Sequence, residues 1–323
     1  MSALGEPGTV MTLAEVPEPV VTPGHVLVRV RATALNFPDV LMVRGLYQVR
    51  PELPFVPGVE VCGDVVEVGP DVVGLTVGDR VVGTTAVPHG GLAEVCLMPA
   101  TGTFAAPAPL SDAEASALTI GYQTAYVGLA RRAALAPGET VVVHAAAGGV
   151  GSAAVQVAKA LGARVVAVVG SEAKAVVARE AGADVVVDRS GDDLVGALKE
   201  AVGPEGADVV FDPVGGASFE ASTKVIGFEG RIVVVGFTSG QIPAPGLNHA
   251  LVKNYSILGL HWGLYLQRKH AVAAQAHTRL SEWAGAGVIR PMVSDQVPFE
   301  DAPSALTRLG AGESTGRIVV LGA

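Results

Sequence analysis

Ala146-x-Gly148-x-x-Gly151 lies at the centre of VVVHAAAGGVGSAAVQVAKALGARVVAVVG, residues 141–170. Small residues at that spacing let a backbone approach a pyrophosphate closely. A helix opening behind them offers unbonded N–H groups to its charge. Alone the triplet is weak, because glycine clusters also make tight corners in cores. Its flanks decide the reading: ETVVVHA (139–145) has the pattern of a buried strand and GVGSAAVQVAKALG (149–162) that of a helix. That is the setting dinucleotide binding requires. The contacts expected at the turn are Ala147, Gly148, Gly149 and Val150.

The next strand, ARVVAVV (163–169), ends in Gly170-Ser171. A site for NAD expects Asp or Glu there, to take the ribose 2′-hydroxyl. Instead Ser171 caps a helix whose first turn contains Lys174. A lysine there opposes the helix dipole unless an anion faces it. A 2′-phosphate held by Ser171, Lys174 and helix N–H groups resolves the conflict and makes NADPH the expected cofactor. Glu172 counts against this, and a solvated lysine is the alternative. Arg189, after the third strand, is read as stacking on the adenine or joining the phosphate site, with a surface arginine as the other reading. His144 is read as a strand residue satisfied in place and not as a base.

The elements that must position these residues are legible from composition and period. Half of the 323 residues are hydrophobic but only 5% are aromatic, so the core is built from Val, Ala and Leu. The length suits roughly two domains. The first third carries short β-rich runs: HVLVRVRATAL (25–35), GVEVCGDVVEVG (58–69), GDRVVGTT (78–85) and AEVCLMP (93–99). Such strands between turn signals predict a barrel-like β domain. SDAEASALTIGYQTAYVGLARRA (111–133) reads as one helix, opened by a Ser111/Glu114 capping box. Beyond Glu139 strands and helices alternate, and valine runs on every strand predict a parallel sheet covered on both faces. YSILGLH (255–261) is expected as its last, edge strand, and GRIVVLG (316–322) as a strand rejoining the β domain.

Thirty-one acidic against 22 basic residues give a net charge of −9, which argues against a general nucleic-acid or anionic-membrane surface. The uncharged run 140–158 is long enough for a membrane span but has three glycines at its middle, so a strand, turn and helix explain it better. Two cysteines, Cys62 and Cys96, form neither a disulfide framework nor a CxxC pair. The opening residues lack the pattern of a secretion signal. The expectation is a soluble cytoplasmic protein.

AAAGGVGSAAVQVAKALGA, GADVVFDPVGG, GRIVVVGF, and ALNFPDVLMVRGLY followed by PFVPGVEVCGDVVEVG resemble the medium-chain dehydrogenase/reductase superfamily. The closer likeness is to its zinc-free quinone oxidoreductase (zeta-crystallin-like) branch, over roughly residues 20–320. The resemblance implies an α/β protein: a GroES-like, β-rich catalytic domain over 1–115, completed by 264–323, and a Rossmann doubly wound parallel-sheet domain over 116–263. Zinc-dependent relatives need Cys where Asn36 stands, His at Val59 and Cys near Ile120. Those side chains cannot bind zinc, which takes N and S ligands. The implied reaction is metal-free hydride transfer from NADPH to a quinone. Reduction of an α,β-unsaturated carbonyl or enoyl-CoA thioester, or non-catalytic NADPH binding, are the alternatives. Arg44 and Arg50 lie near where a CoA ester would call for basic groups.

By the same likeness Asn36, Tyr47 and Thr124 surround the nicotinamide and substrate. The stretches containing Gly236, Phe237 and Ser239, and Trp262, approach the nicotinamide end. Trp262 is read as an apolar wall, with an interface role as the alternative. Asp39 and Glu60 are expected to make structural hydrogen bonds. Family members usually carry a tyrosine near Arg189, and their first strand is longer than the opening here. YSILGLH is read as an edge strand that could pair with that of a second copy, with a covered edge strand as the alternative. The resemblance supports a homodimer, and a small-molecule substrate is the only other partner expected.

Overall fold

Valine-rich runs form strands because a branched Cβ packs well on a pleated surface. In the computed structural model, which describes residues 1–322, they build two sheets in two separate units. In chain order the strands are β1 (His25–Ala34), β2 (Glu60–Val68), β3 (Arg80–Thr84), β4 (Val95–Pro99), β5 (Thr103–Ala105), β6 (Thr140–His144), β7 (Arg164–Val169), β8 (Val185–Asp188), β9 (Ala207–Asp212), β10 (Ile226–Val234), β11 (Ser256–Gly259), β12 (Val293–Val297) and β13 (Arg317–Leu321).

One unit comprises Met1–Ile120 and the chain from Leu266 onward. Its sheet runs β12-β13-β1-β2-β3-β5, with β4 also paired to β1. The two chain ends meet where β13 pairs antiparallel with β1, Ala34 opposite Val319. On β1 the exposed Arg29 and Arg31 alternate with the buried Val28 and Val30, as a strand with one wet face should. Val26, Val28, Val61, Val65, Val81 and Met98 form the core beneath it.

The other unit is Gly121–Tyr265. Its six strands lie in the order β11-β10-β9-β6-β7-β8, and all pairs are parallel. Numbered within the unit this is 6-5-4-1-2-3, the Rossmann order read from its far edge, so the order reverses between β6 and β9. Ligands of such sheets bind beyond the carboxyl ends of the strands at that reversal. β6 and β7 are buried on both faces after their first residue. Val142, Val166, Val210, Phe219 and Ile232 fill the core on one side.

The expected helix over 111–133 is broken. The capping box at Ser111 and Glu114 forms, but it opens a helix of only Asp112–Ser116. A second helix, Thr119–Tyr126, follows and leads into a π-helical turn over Val127–Arg132.

Candidate functional site

In the Gly121–Tyr265 unit β6 ends at His144, and Ala145 takes a left-handed conformation, φ +50. Gly148 N donates to Ala145 O at 2.9 Å, closing the turn, and helix Gly149–Ala160 begins. The first N–H groups of that helix have no intrahelical acceptor. Two glycines of the motif do different work. A Cβ on Gly151 would lie 2.1 Å from Ala145 O and 2.9 Å from Ala146 Cα, so the fold itself demands glycine there. Gly148 has φ −83 and ψ 174, open to any residue, and its Cβ would meet only Ala145 O at 3.3 Å. Ala147, Gly148, Gly149 and Val150 thus lie together at the turn.

At the end of β7, Ser171 caps helix Glu172–Glu180, its Oγ accepting from Lys174 N at 3.4 Å. Arg189 N donates to Val169 O at 2.8 Å, which fixes its backbone beside β7. Its guanidinium lies across Gly170: a Cβ there would be 3.1 Å from Nε and 3.4 Å from Nη2. Gly170, Ser171 and Arg189 are therefore brought together, with Lys174 one turn into the adjoining helix. Where a carboxylate would receive a ribose hydroxyl, this chain has a bare backbone and a cation.

Two loops meet beyond β9 and β10. Thr238 N donates to Pro213 O at 3.1 Å, and Ser239 N and Oγ donate to Val214 O at 3.1 and 2.7 Å. Gly236, Phe237 and Ser239 ride on this paired structure, and Phe237 is 38% exposed. Beyond β11, Trp262 is 7% exposed and donates its Nε1 to Gln123 Oε1 at 3.2 Å. Gln123 precedes Thr124, which is also 7% exposed, on helix Thr119–Tyr126.

In the other unit Asn36, 4% exposed, leads into helix Phe37–Val43. Its Nδ2 donates to Ala34 O at 3.0 Å and to Glu60 Oε2 at 2.9 Å, and its Oδ1 accepts from Arg317 Nη1 at 2.9 Å. Both amide hydrogens are committed. Arg317 Nη2 also pairs with Glu60 Oε2, whose Oε1 accepts from Ile120 N at 2.6 Å. Burial pushes the Glu60 carboxyl up, against the opposing pull of Arg317 and Asn36. Asp39 accepts from the backbone N–H groups of Asn36, Gly58 and Val59 at 2.8 to 3.0 Å. Burial nevertheless raises it to about 6. Tyr47 is half-buried, and burial, then the charge of Asp39, holds its phenol above the ordinary value.

The cysteines offer no nucleophile. Cys62 and Cys96 are buried, and burial pushes both thiols up to about 12. Among the described residues no group of three or more His, Cys, Asp or Glu is placed to hold a metal ion. No described helix is long and apolar enough to cross a membrane.

Residues 22–119 match the family described as the alcohol dehydrogenase GroES-like domain, and residues 149–282 match zinc-binding dehydrogenase. Quinone oxidoreductase-like protein 2 of Bos taurus is 38% identical over 96% of this chain and 88% of its own. The chain belongs to the quinone oxidoreductase branch of the medium-chain dehydrogenase/reductase superfamily. A homologue in Nematostella vectensis is 39% identical over 92% of this chain and 81% of its own. Among solved structures, an Escherichia coli quinone oxidoreductase complexed with NADPH superposes with a TM-score of 0.90 at 31% identity, covering 99% of this chain and 98% of that one. A mycobacterial protein complexed with NADPH gives 0.91 at 32%, with the same coverage. The zinc in the wider family's description has no counterpart in the side chains here: Asn36 is spent on Glu60 and Arg317, and Val59 and Ile120 carry no ligand atom.

Two site residues escaped the reading of the sequence. Arg317 is 257 positions from Glu60, so no local spacing links them. Gln123 stands inside an apolar helix, and its full burial alone marked it. A polar residue at a core position was its only signal.

Proposed function

We propose that the protein transfers hydride from NADPH to a quinone without a metal. The choice of phosphate-bearing cofactor rests on Arg189 lying across Gly170, beside the Ser171 cap, where an NAD site would present a carboxylate. Neighbours solved with NADPH support the cofactor, and relatives named for quinone reduction support the acceptor. Ala147, Gly148, Gly149 and Val150 hold the pyrophosphate against the helix N–H groups. Ser171, Lys174 and Arg189 take the 2′-phosphate. Gly236, Phe237, Ser239 and Trp262 border the nicotinamide.

NADPH supplies a hydride, so one quinone, one NADPH and one further proton become hydroquinone and NADP⁺. A quinone is already electrophilic, and the protein has only to orient it and donate hydrogen bonds to the oxygen that gains charge. Thr124 and Tyr47 are assigned that donation. A phenol held above its ordinary value keeps its proton at neutral pH, so Tyr47 donates a hydrogen bond and water delivers the proton. Asn36 has no amide hydrogen to spare. Its assigned work is to fix the start of helix Phe37–Val43, and so the segment leading to Tyr47.

The cofactor assignment is tested by Lys174→Ala and Arg189→Ala. Each should raise KM for NADPH about tenfold, the scale of one charge-assisted hydrogen bond, and leave KM for NADH nearly unmoved. Equal effects on both cofactors would remove the 2′-phosphate from this site.

A cytoplasmic homodimer is the assembly inferred. β11 is an edge strand, and Leu247, Leu251 and Val252 on the preceding helix are each 77% exposed. A second copy pairing at β11 would cover them and continue the sheet. Light scattering should give twice 32.6 kDa, and a mass of 32.6 kDa would contradict the pairing. The two unpaired cysteines fit a reducing compartment, which cell fractionation would check.

A further inference from the structure

His144 and Asp212 are the last residues of β6 and β9, the strands between which the sheet order reverses. They are neighbours because Val143 pairs with Phe211. Each is 1% exposed, and the proposed reaction uses neither. Ser222 Oγ gives its one hydrogen to Ser218 O at 2.7 Å and lies 2.8 Å from His144 Nε2. Nε2 must then carry the proton and donate to Ser222, which leaves Nδ1 of the neutral ring a bare acceptor. Asp212 Oδ1 accepts from Val214 N at 2.8 Å and Gly215 N at 3.0 Å. Its Oδ2 and His144 Nδ1 are both buried with no hydrogen-bond partner in the protein. Two acceptors cannot satisfy one another, and leaving both unmet in a core is costly.

We propose that one buried water joins them, donating one hydrogen to Nδ1 and the other to Oδ2, and that the bridged pair positions the cofactor loops. A water carries the two hydrogens this arrangement lacks, and such molecules are integral parts of protein interiors. Burial holds His144 below its ordinary value, against the pull of Asp212 and with Arg189 adding to the depression; these are the two charges acting on it. The ring is therefore neutral at neutral pH. β6 runs directly into the dinucleotide turn. Asp212 orders Val214 and Gly215, and that loop in turn holds Thr238 and Ser239. The bridge thus links the pyrophosphate end of the site to the nicotinamide end. This positioning role rests on the NADPH reading given above.

The test combines a spectroscopic state with two variants. Histidine ¹⁵N NMR at pH 7 should show His144 neutral and protonated on Nε2. An imidazolium, which would donate straight to Asp212, overturns the water bridge. Asp212→Asn keeps an oxygen for Val214 and Gly215 and turns an amide hydrogen toward Nδ1. It should melt at or above the wild-type temperature and bind NADPH within about twofold of it. His144→Phe removes the bond to Ser222 and strands Oδ2, so its Kd for NADPH should rise about tenfold, with kcat at saturating NADPH little changed. An Asp212→Asn protein that binds NADPH as weakly as His144→Phe overturns the proposal. Should His144→Phe not fold, the NMR state and the Asp212→Asn melting temperature decide the matter. If the wild type itself binds no NADPH, the functional reading fails, while those two measurements still judge the pair.

Discussion

Replacing Arg317 by Met should cost the unit formed by the two chain ends about 3–5 kcal/mol, the penalty for breaking a buried ion pair and leaving one partner charged. Glu60 is fully buried, and Arg317 is the cation paired with it. Without Arg317 the carboxylate keeps Asn36 Nδ2 and the backbone N–H groups of Thr119 and Ile120. The deficit should depend on pH. Burial already raises Glu60 above 4.5, and loss of the cation raises it further. A carboxyl raised in the folded state contributes stability below its unfolded value and loses it as pH rises through the folded one. The variant should therefore fall furthest behind the wild type in the alkaline range and least below about pH 4.5. Adding Glu60→Gln removes the stranded charge and should recover at least half of the loss, a coupling a double-mutant cycle reads directly. Thermal or urea unfolding of the three variants at two pH values checks this. A cost for Arg317→Met below about 1 kcal/mol, as for an exposed pair, would show that the network does not hold the unit together.

Gly151→Ala and Gly148→Ala should separate what the fold needs from what the cofactor needs. At Gly151 the added carbon meets backbone atoms of Ala145 and Ala146, which cannot swing aside as a side chain can. Either the helix backs away from the turn or the turn opens, at about 1–3 kcal/mol for overpacking. The apo protein should melt lower, and Kd for NADPH should rise about tenfold or more as the N–H groups at Gly149 and Val150 shift. At Gly148 the backbone conformation is ordinary, and the new methyl meets one oxygen at 3.3 Å. Its melting temperature should barely move, yet NADPH binding should fall sharply, because the methyl would enter the space assigned above to the pyrophosphate. Calorimetric melts and fluorescence titration with NADPH give both readouts. A Gly148→Ala protein with unaltered affinity would show that the turn is only a corner.

Much of the fold was legible because period and punctuation carry it. Valine runs separated by helical stretches gave the parallel sheet, and GRIVVLG returned to β1 as the resemblance implied. The helix over 111–133 was misjudged for a physical reason. A continuous helix would bond Ile120 N to Ser116 O, but that N–H goes to Glu60, sixty residues earlier in sequence. A buried carboxylate from a distant strand outcompetes the local bond, and no propensity scale contains it. The candidate site divides along the same line. The turn and the Ser171 cap are local, so spacing revealed them. The commitment of Asn36 is not local, since it depends on an arginine 281 positions away. The resemblance put Asn36 beside the nicotinamide and substrate, whereas the fold commits both of its amide hydrogens to Ala34 O and Glu60.

The proposed reaction, hydride transfer from NADPH to a quinone, calls for no metal. The most direct measurement follows oxidation of NADPH and NADH by the purified protein in EDTA, with a para-quinone, an ortho-quinone, a simple enone and a short enoyl-CoA as acceptors. Turnover of a quinone with NADPH, unaffected by the chelator and much slower with NADH, is the expected result. A preference for the enone or the thioester, a preference for NADH, or tight NADPH binding with no turnover of any acceptor would contradict it.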